Sequence, residues 1–170
     1  MITIRPATEA DLPGILEIYN DAVLHTTATY DYESRTLEHR RQWFEDHQRD
    51  NYAVFVAVDE TGRIVGWSAL NPYHARPGYR FTTENSVYIA ADRRGQGIGK
   101  QLLEPLIEAA RARGLHAIIA AIDASNEASL RLHLRFGFEP VGRFREVGHK
   151  FDRWLDVAYL QKLLPLDPPA

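Results

Sequence analysis

Cysteine is missing altogether from this chain of 170 residues. Its absence excludes a disulfide framework, a thiolate zinc site and a cysteine nucleophile together, and makes the cytoplasm the expected compartment. Long apolar runs are also lacking. The longest, "AIIAAI", falls far short of the roughly 18 residues that a membrane helix requires. At the amino terminus, Arg5, Glu9 and Asp11 stand where a signal peptide would need its apolar centre. No sign of charge dominates, with 20 basic against 23 acidic residues and a net charge of -3. Without a polybasic arm, neither nucleic acid nor a membrane surface is an expected partner. The seven histidines form no His-x-x-x-His or Glu-x-x-His cluster on a helix, so no metal is expected.

What is present is an alternation of strand-like and helix-like segments. "ITIRPA" reads as a strand, and "TEADLPGILEIYNDAV" sets Leu12, Ile15, Ile18, Tyr19, Ala22 and Val23 near helical spacing, with Asp11 as N-cap and Pro13 in the first turn. A loop rich in Thr and Tyr, "LHTTATYDYESRT", leads to a second helix capped by Thr36, with Trp43 and Phe44 on its apolar side. "NYAVFVAV" and "RIVGWSAL" flank a turn ending at Gly62 and predict a hairpin, and "RFTTENSVYIA" a fourth strand. A helix from about Ile98 to Arg113, stopped by Gly114, carries Pro105 inside it, which removes one backbone bond. "LHAIIAAI" predicts a strand covered on both faces, "SNEASLRLHLRFG" a capped helix, and "FEPVGRFREVGHKFDRWLDVAYLQKLL" two closing strands. Together they predict one α/β (α+β) domain over residues 1–165 with a mixed sheet, then a short frayed tail, 166–170.

Gly95, Gly97 and Gly99 stand on alternate positions directly before the third helix. Backbone that curls around a helix N-terminus, with its unpaired N–H groups and positive dipole end, makes an anion site, and phosphate is the natural guest. Two common phosphate loops fail on spacing. The glycines read G-x-G-x-G and not G-x-G-x-x-G, while Arg94 replaces the first P-loop glycine and Gln101 follows Lys100 where Ser or Thr belongs. "RGQGIG" does match R-x-x-G-x-G, and in this the chain resembles the GNAT acetyltransferases, which wrap such a loop around the pyrophosphate of acetyl-CoA. The resemblance continues through "AIDASNEASLRLHLRFGFEPVGRF", similar to that family's pantetheine-binding strand, helix and Gly-Phe strand. "IYNDAV", "TTENSVYI" and "VGHKFDRWLDVAYLQ" are similar to its phosphinothricin N-acetyltransferase branch, whose members acetylate the α-amino group of phosphinothricin or methionine sulfoximine. The likeness implies a GNAT-type, mostly antiparallel central sheet flanked by helices, acetyl-CoA as co-substrate, no metal, a small amine substrate and a homodimer.

It also implies roles for particular residues. Transfer to an amine needs a neutral nucleophile, a donor for the developing oxyanion and a proton for the departing thiolate. Glu84 is the implied general base; otherwise it is an ordinary strand glutamate. The cofactor residues implied are Val87, Tyr88 and Ile89 through their main chain, then Arg94, Gly95, Gln96, Gly97, Ile98 and Gly99, with Asn126 and Ser129 on the following helix. Asn126 also suits an N-cap. His133 shares a helix face with Asn126 and Ser129 and is either a proton donor to the sulfur or a packed histidine. Tyr30 could wall a substrate pocket, with Arg76, Tyr79 and Arg80 receiving an anionic group, although Arg80 also reads as a solvated loop arginine. Lys150 and Trp154 match the branch, with a structural role as the alternative and, for Trp154, core or dimer surface. Two other functions fit such a chain: acetylation of a protein or peptide, and acyl-CoA binding without turnover.

Overall fold

The computed structural model describes residues 1–165; the expected tail over 166–170 lies outside them. β1 (Thr3–Pro6) leads into α1 (Leu12–His25), and α2 (Leu37–Arg49) follows an irregular segment. The hairpin of β2 (Val54–Val58) and β3 (Ile64–Pro72) precedes β4 (Thr82–Ile89). α3 (Ile98–Ala112), β5 (Ala117–Asp123) and α4 (Glu127–Arg135) come next, and the long pair β6 (Glu139–Lys150) and β7 (Arg153–Leu163) closes the fold. All seven strands join one sheet in the order β1-β2-β3-β4-β5-β7-β6. Every neighbouring pair is antiparallel except β4 with β5.

Alternation along the strands divides the core between two faces. Val54, Val56, Trp67 and Ala69 pack with Leu12, Ile15 and Ile18 of α1 and Phe44 of α2. On the other face, Leu103, Leu106, Ile107 and Ala110 of α3 meet Leu70, Ile118, Ala120, Ile122 and Phe138. Helices thus cover both sides of the sheet, and hydrophobic burial holds the three layers together.

Local signals explain the helix ends. The Thr36 hydroxyl accepts from the His39 amide at the start of α2, as its sequence position predicts. Asp11 does precede α1, but its carboxylate turns back. It accepts from the Thr8 amide at 2.8 Å and from Arg5 Nη1 and Nη2 at 2.7 Å each, so it ties α1 to β1 instead of capping the helix. Gly114 takes φ +74° just past α3, the left-handed conformation that glycine adopts without a Cβ clash. Pro105 lies within α3; the carbonyl it deprives of a partner belongs to Gln101, an exposed residue within reach of water. β5 departs from expectation at one point. Its residues are buried except Ala121, because β5 does not remain paired to β4 along its whole length.

Candidate active site

The β4–β5 pairing is short. Only Thr82, Thr83 and Glu84 find partners, in Ala117, Ile118 and Ile119, whereas β4 runs on to Ile89 and β5 to Asp123. Beyond Glu84 the two strands diverge, leaving the β5-facing main-chain groups of β4 outside any ladder. Such groups require partners when buried. β4 is meanwhile held on its other side by β3, in register from Pro72↔Thr83 to Gly66↔Ile89.

A cavity of about 470 Å³ fills the divergence. Tyr88 packs with the α1 and α2 side of the sheet and Val87 with the α3 side. Both line the cavity, as do Glu84, Asn85 and Ser86, so the opening passes through the sheet. Ala121, Ile122 and Asp123 form its β5 wall, Asn126, Ser129 and His133 its α4 wall, and Val147, Gly148 and Tyr159 its β6–β7 wall. Ala28, Thr29 and Tyr30 cover it from the loop after α1.

That loop is fastened to β6. The buried Lys150 donates from Nζ to the Thr29 carbonyl at 2.8 Å, and the Tyr32 hydroxyl donates to the His149 carbonyl. The Tyr30 ring lies so close to Gly148 that an added Cβ would stand 3.0 Å from it. Lys150 therefore has a structural task, and burial pushes its ammonium below the ordinary lysine range.

Two carboxylates face the cavity in opposite states. Burial pushes the Glu84 carboxyl up, with His74 nearby opposing the shift, and no side-chain hydrogen bond or ion pair engages Glu84 among the described residues. Burial acts the same way on Asp123, but the nearby Thr27 hydroxyl and the hydrogen bonds from Ser125 outweigh it and hold this carboxyl below its usual range. Asp123 Oδ1 accepts from the Ser125 amide and hydroxyl at 2.8 Å each, while Oδ2 is buried without a hydrogen-bond partner. One pocket thus holds two carboxyls whose surroundings shift them in opposite directions.

His133 is buried, and both ring nitrogens are engaged. Nδ1 donates to the Ser129 carbonyl at 2.8 Å, and Nε2 accepts from Asn85 Nδ2 at 2.8 Å. Burial lowers its pKa, favouring this neutral form. Asn126 caps α4 by accepting from the Ser129 amide at 3.1 Å, so Asn126, Ser129 and His133 do lie on one face, turned to the cavity.

At the far end, Gly95 and Gly97 adopt φ of +75° and +78° with open space around them. Their conformation, not crowding within the chain, requires glycine there. Gly99 differs: a Cβ would come within 3.1 Å of Leu132, so it lets α3 pack closely on α4. The first turn of α3 has no acidic residue and no side-chain cap, and Arg94, Gln96 and Lys100 around it are exposed. Free N–H groups, the dipole and two cations suit a polyphosphate, and the loop and splayed strands together fit an elongated acyl-CoA.

Arg76, Tyr79 and Arg80 are not brought to the cavity. They are exposed in the segment around the turn Pro77–Tyr79; Tyr79 meets Tyr73 and His74 edge-on, and the Arg80 guanidinium lies over Phe81. Asn85, Asp123 and Tyr159 line the cavity without having been singled out in the sequence. Only the position of Asn85 beside Glu84 could have marked it; Asp123 and Tyr159 come from strands whose neighbours are set by long-range pairing. Among the described residues no group of His, Cys, Asp and Glu side chains could hold a metal ion, and no helix is long and apolar enough to cross a membrane.

Comparison with known proteins agrees with this architecture. Residues 4–159 match the acetyltransferase (GNAT) domain family. The chain is 48% identical over 166 residues, 98% of its own length and 95% of the relative's, to an L-methionine sulfoximine/L-methionine sulfone acetyltransferase of Pseudomonas aeruginosa. It superposes with TM-score 0.93 on a phosphinothricin acetyltransferase of Sinorhizobium meliloti solved with acetyl-CoA, at 37% identity, covering 96% of this chain and 88% of that one. A solved ribosomal-protein-alanine N-acetyltransferase of Brucella melitensis is 49% identical, with TM-score 0.93, covering 95% and 99%. This chain therefore belongs to the GNAT acetyltransferases, enzymes that use acetyl-CoA as co-substrate.

Proposed function

We propose that the protein acetylates the α-amino group of a small amino-acid-like substrate, of the phosphinothricin or methionine sulfoximine type, by direct transfer with Glu84 as general base. The observation that carries this reading is the half-buried carboxylate of Glu84, without a side-chain partner among the described residues, where the strands part. Acetyl-CoA, when bound, supplies an acyl carbon activated as a thioester. In this reading the Arg94–Gly99 loop and the first turn of α3 hold its pyrophosphate. The free main chain of Val87, Tyr88 and Ile89, with Asn126 and Ser129, holds the pantetheine. Glu84 takes one proton from the substrate ammonium, a nitrogen–carbon bond forms, the carbon–sulfur bond breaks, and the second proton lost from nitrogen ends on the departing sulfur, so that CoA leaves as the thiol. The hydrogen bonds of His133 support the packed alternative for that residue, since its one proton is committed to the Ser129 carbonyl.

The similarity to a ribosomal-protein-alanine N-acetyltransferase raises a second reading, a peptide acceptor. The fastened loop favours the small substrate, because Ala28, Thr29 and Tyr30 cover the cavity and are held there from β6. The deciding experiment measures CoA release with methionine sulfoximine, phosphinothricin, methionine sulfone, common amino acids and a peptide bearing an N-terminal alanine. Turnover on the sulfoximine or phosphinothricin, falling by about a hundredfold or more in Glu84→Gln, is the expected result. Turnover on the peptide alone overturns the substrate reading, and full activity of Glu84→Gln overturns the base.

The same reading places the enzyme in the cytoplasm as a homodimer. Phe144, Val147, Phe151 and Trp154, on or beside the edge strand β6, are each more than half exposed. A patch of this kind on a twelve-residue edge strand needs cover. Light scattering coupled to size exclusion should give twice the chain mass, and Phe144→Asp with Trp154→Arg should give the single chain.

A further inference from the structure

We propose that Asn71 is a positioning residue for the Glu84 segment of β4, and that His47 on α2 sets the orientation of the Asn71 amide. The inference rests on the reading of Glu84 as the base and extends it to residues that do not line the cavity. Asn71 and Glu84 are direct cross-strand partners, so their side chains share one face of the sheet, the face that α2 covers. Asn71 Nδ2 donates to the Glu84 carbonyl and to the Ser86 hydroxyl, each at 3.1 Å. The Thr83 hydroxyl donates to the Asn71 carbonyl at 2.8 Å. Side chains thus reinforce the β3–β4 ladder where β5 lets go of β4.

A carbonyl oxygen can only accept, so the Glu84 carbonyl dictates which end of the Asn71 amide faces it. Oδ1 must then face α2, where it lies 3.1 Å from His47 Nε2. His47 Nδ1 lies 2.8 Å from another obligate acceptor, the Trp43 carbonyl. Both contacts are hydrogen bonds only when both ring nitrogens carry protons. Burial opposes that charge and lowers the His47 pKa, and Arg40 on the same helix adds to the effect. Around the ring stand Arg40 and Asp50 from the α2 region, Tyr52 from the following turn, and Arg113 at the end of α3, which lines the same groove as His47; from β3 come Asn71 and the Leu70 main chain, which favours the charged ring. When the ring loses a proton, either the Trp43 contact fails or the Asn71 amide turns. A turned amide offers Nδ2 to His47 and withdraws its donor from Glu84 and Ser86. Proton loss at His47 thereby loosens the strand that carries the base.

The test begins with the wild-type protein, following the His47 ring nitrogens and the Asn85 and Ser86 amides by NMR from about pH 5 to 8. The expected result is a common midpoint for ring and amides. In His47→Gln, whose amide N–H can still serve Asn71 but does not titrate, the amides should hold still while turnover is retained. Asn71→Ala should lower kcat about tenfold or more, as small displacements of reacting groups do, with the KM for acetyl-CoA little changed. A ring that does not titrate in this range, amides that stay fixed while it does, or an Asn71→Ala enzyme with wild-type kcat each overturns the proposal. Failure of Glu84 as the base would show separately, as an active Glu84→Gln enzyme whose β4 amides still follow the His47 ring.

Discussion

Glu84 sits in β4 with its carboxyl pushed up by burial and without a side-chain partner among the described residues. For the reaction this means that kcat/KM should climb with pH through a midpoint above the ordinary carboxylate range, because the base must first lose its proton. For the fold the sign is opposite. A carboxyl whose folded pKa exceeds its unfolded value favours the folded state below the unfolded value, and that contribution is lost as pH rises through the folded one. Glu84→Gln should therefore raise Tm at neutral pH, with the gain shrinking in acid, while turnover collapses. Calorimetry across pH, set beside the kinetics, checks both halves.

Among the elements, α3 and the start of α1 respond in different ways. Gly97→Ala places a Cβ at a φ of +78°, a conformation that costs an ordinary residue about 1–2 kcal/mol. Because Gly97 is the N-cap of α3, the loop should shift and the KM for acetyl-CoA should rise several-fold, with kcat affected less. Gly99→Val would instead press on Leu132 and disturb α4, so it should lower Tm as well as cofactor affinity. At α1, hydrogen bonding from Arg5 is the largest influence holding the Asp11 carboxyl below its usual range, against burial and with Thr8 assisting. This stabilisation exists above the unfolded pKa and fades as pH falls through the folded one. Asp11→Asn should lose Tm at neutral pH and converge with wild type in acid, readable by thermal scans at a series of pH values.

At the scale of the whole molecule, local chemistry was legible and long-range pairing was not. β-Branched and aromatic residues around the turn at Gly62 marked β2 and β3, Thr36 and Gly114 marked helix ends, and the Gly95–Gly99 spacing marked the loop before α3, because each depends on residues close in sequence. The insertion of β7 between β5 and β6 has no local signature, and with it went the places of Asp123 and Tyr159. His133 was found by its helix face, but its partner Asn85, 48 residues away, decides what its ring can do. Arg76 and Tyr79 were chosen by resemblance and Arg80 as a neighbouring cation, and the fold leaves them outside the cavity, Tyr79 against Tyr73 and His74 and Arg80 over Phe81.

Lys150 and Thr29, joined across the cavity, are separated by 121 positions in sequence. On a ribosome the covering loop emerges long before the strand that fastens it. Until β6 and β7 have docked, Tyr30 has no Gly148 to close against, so the nascent chain should cover the cavity only after both strands have emerged. Contacts this distant are slow to form, and appearance of activity during refolding should accordingly lag behind the formation of α1, α2 and the β2–β3 hairpin.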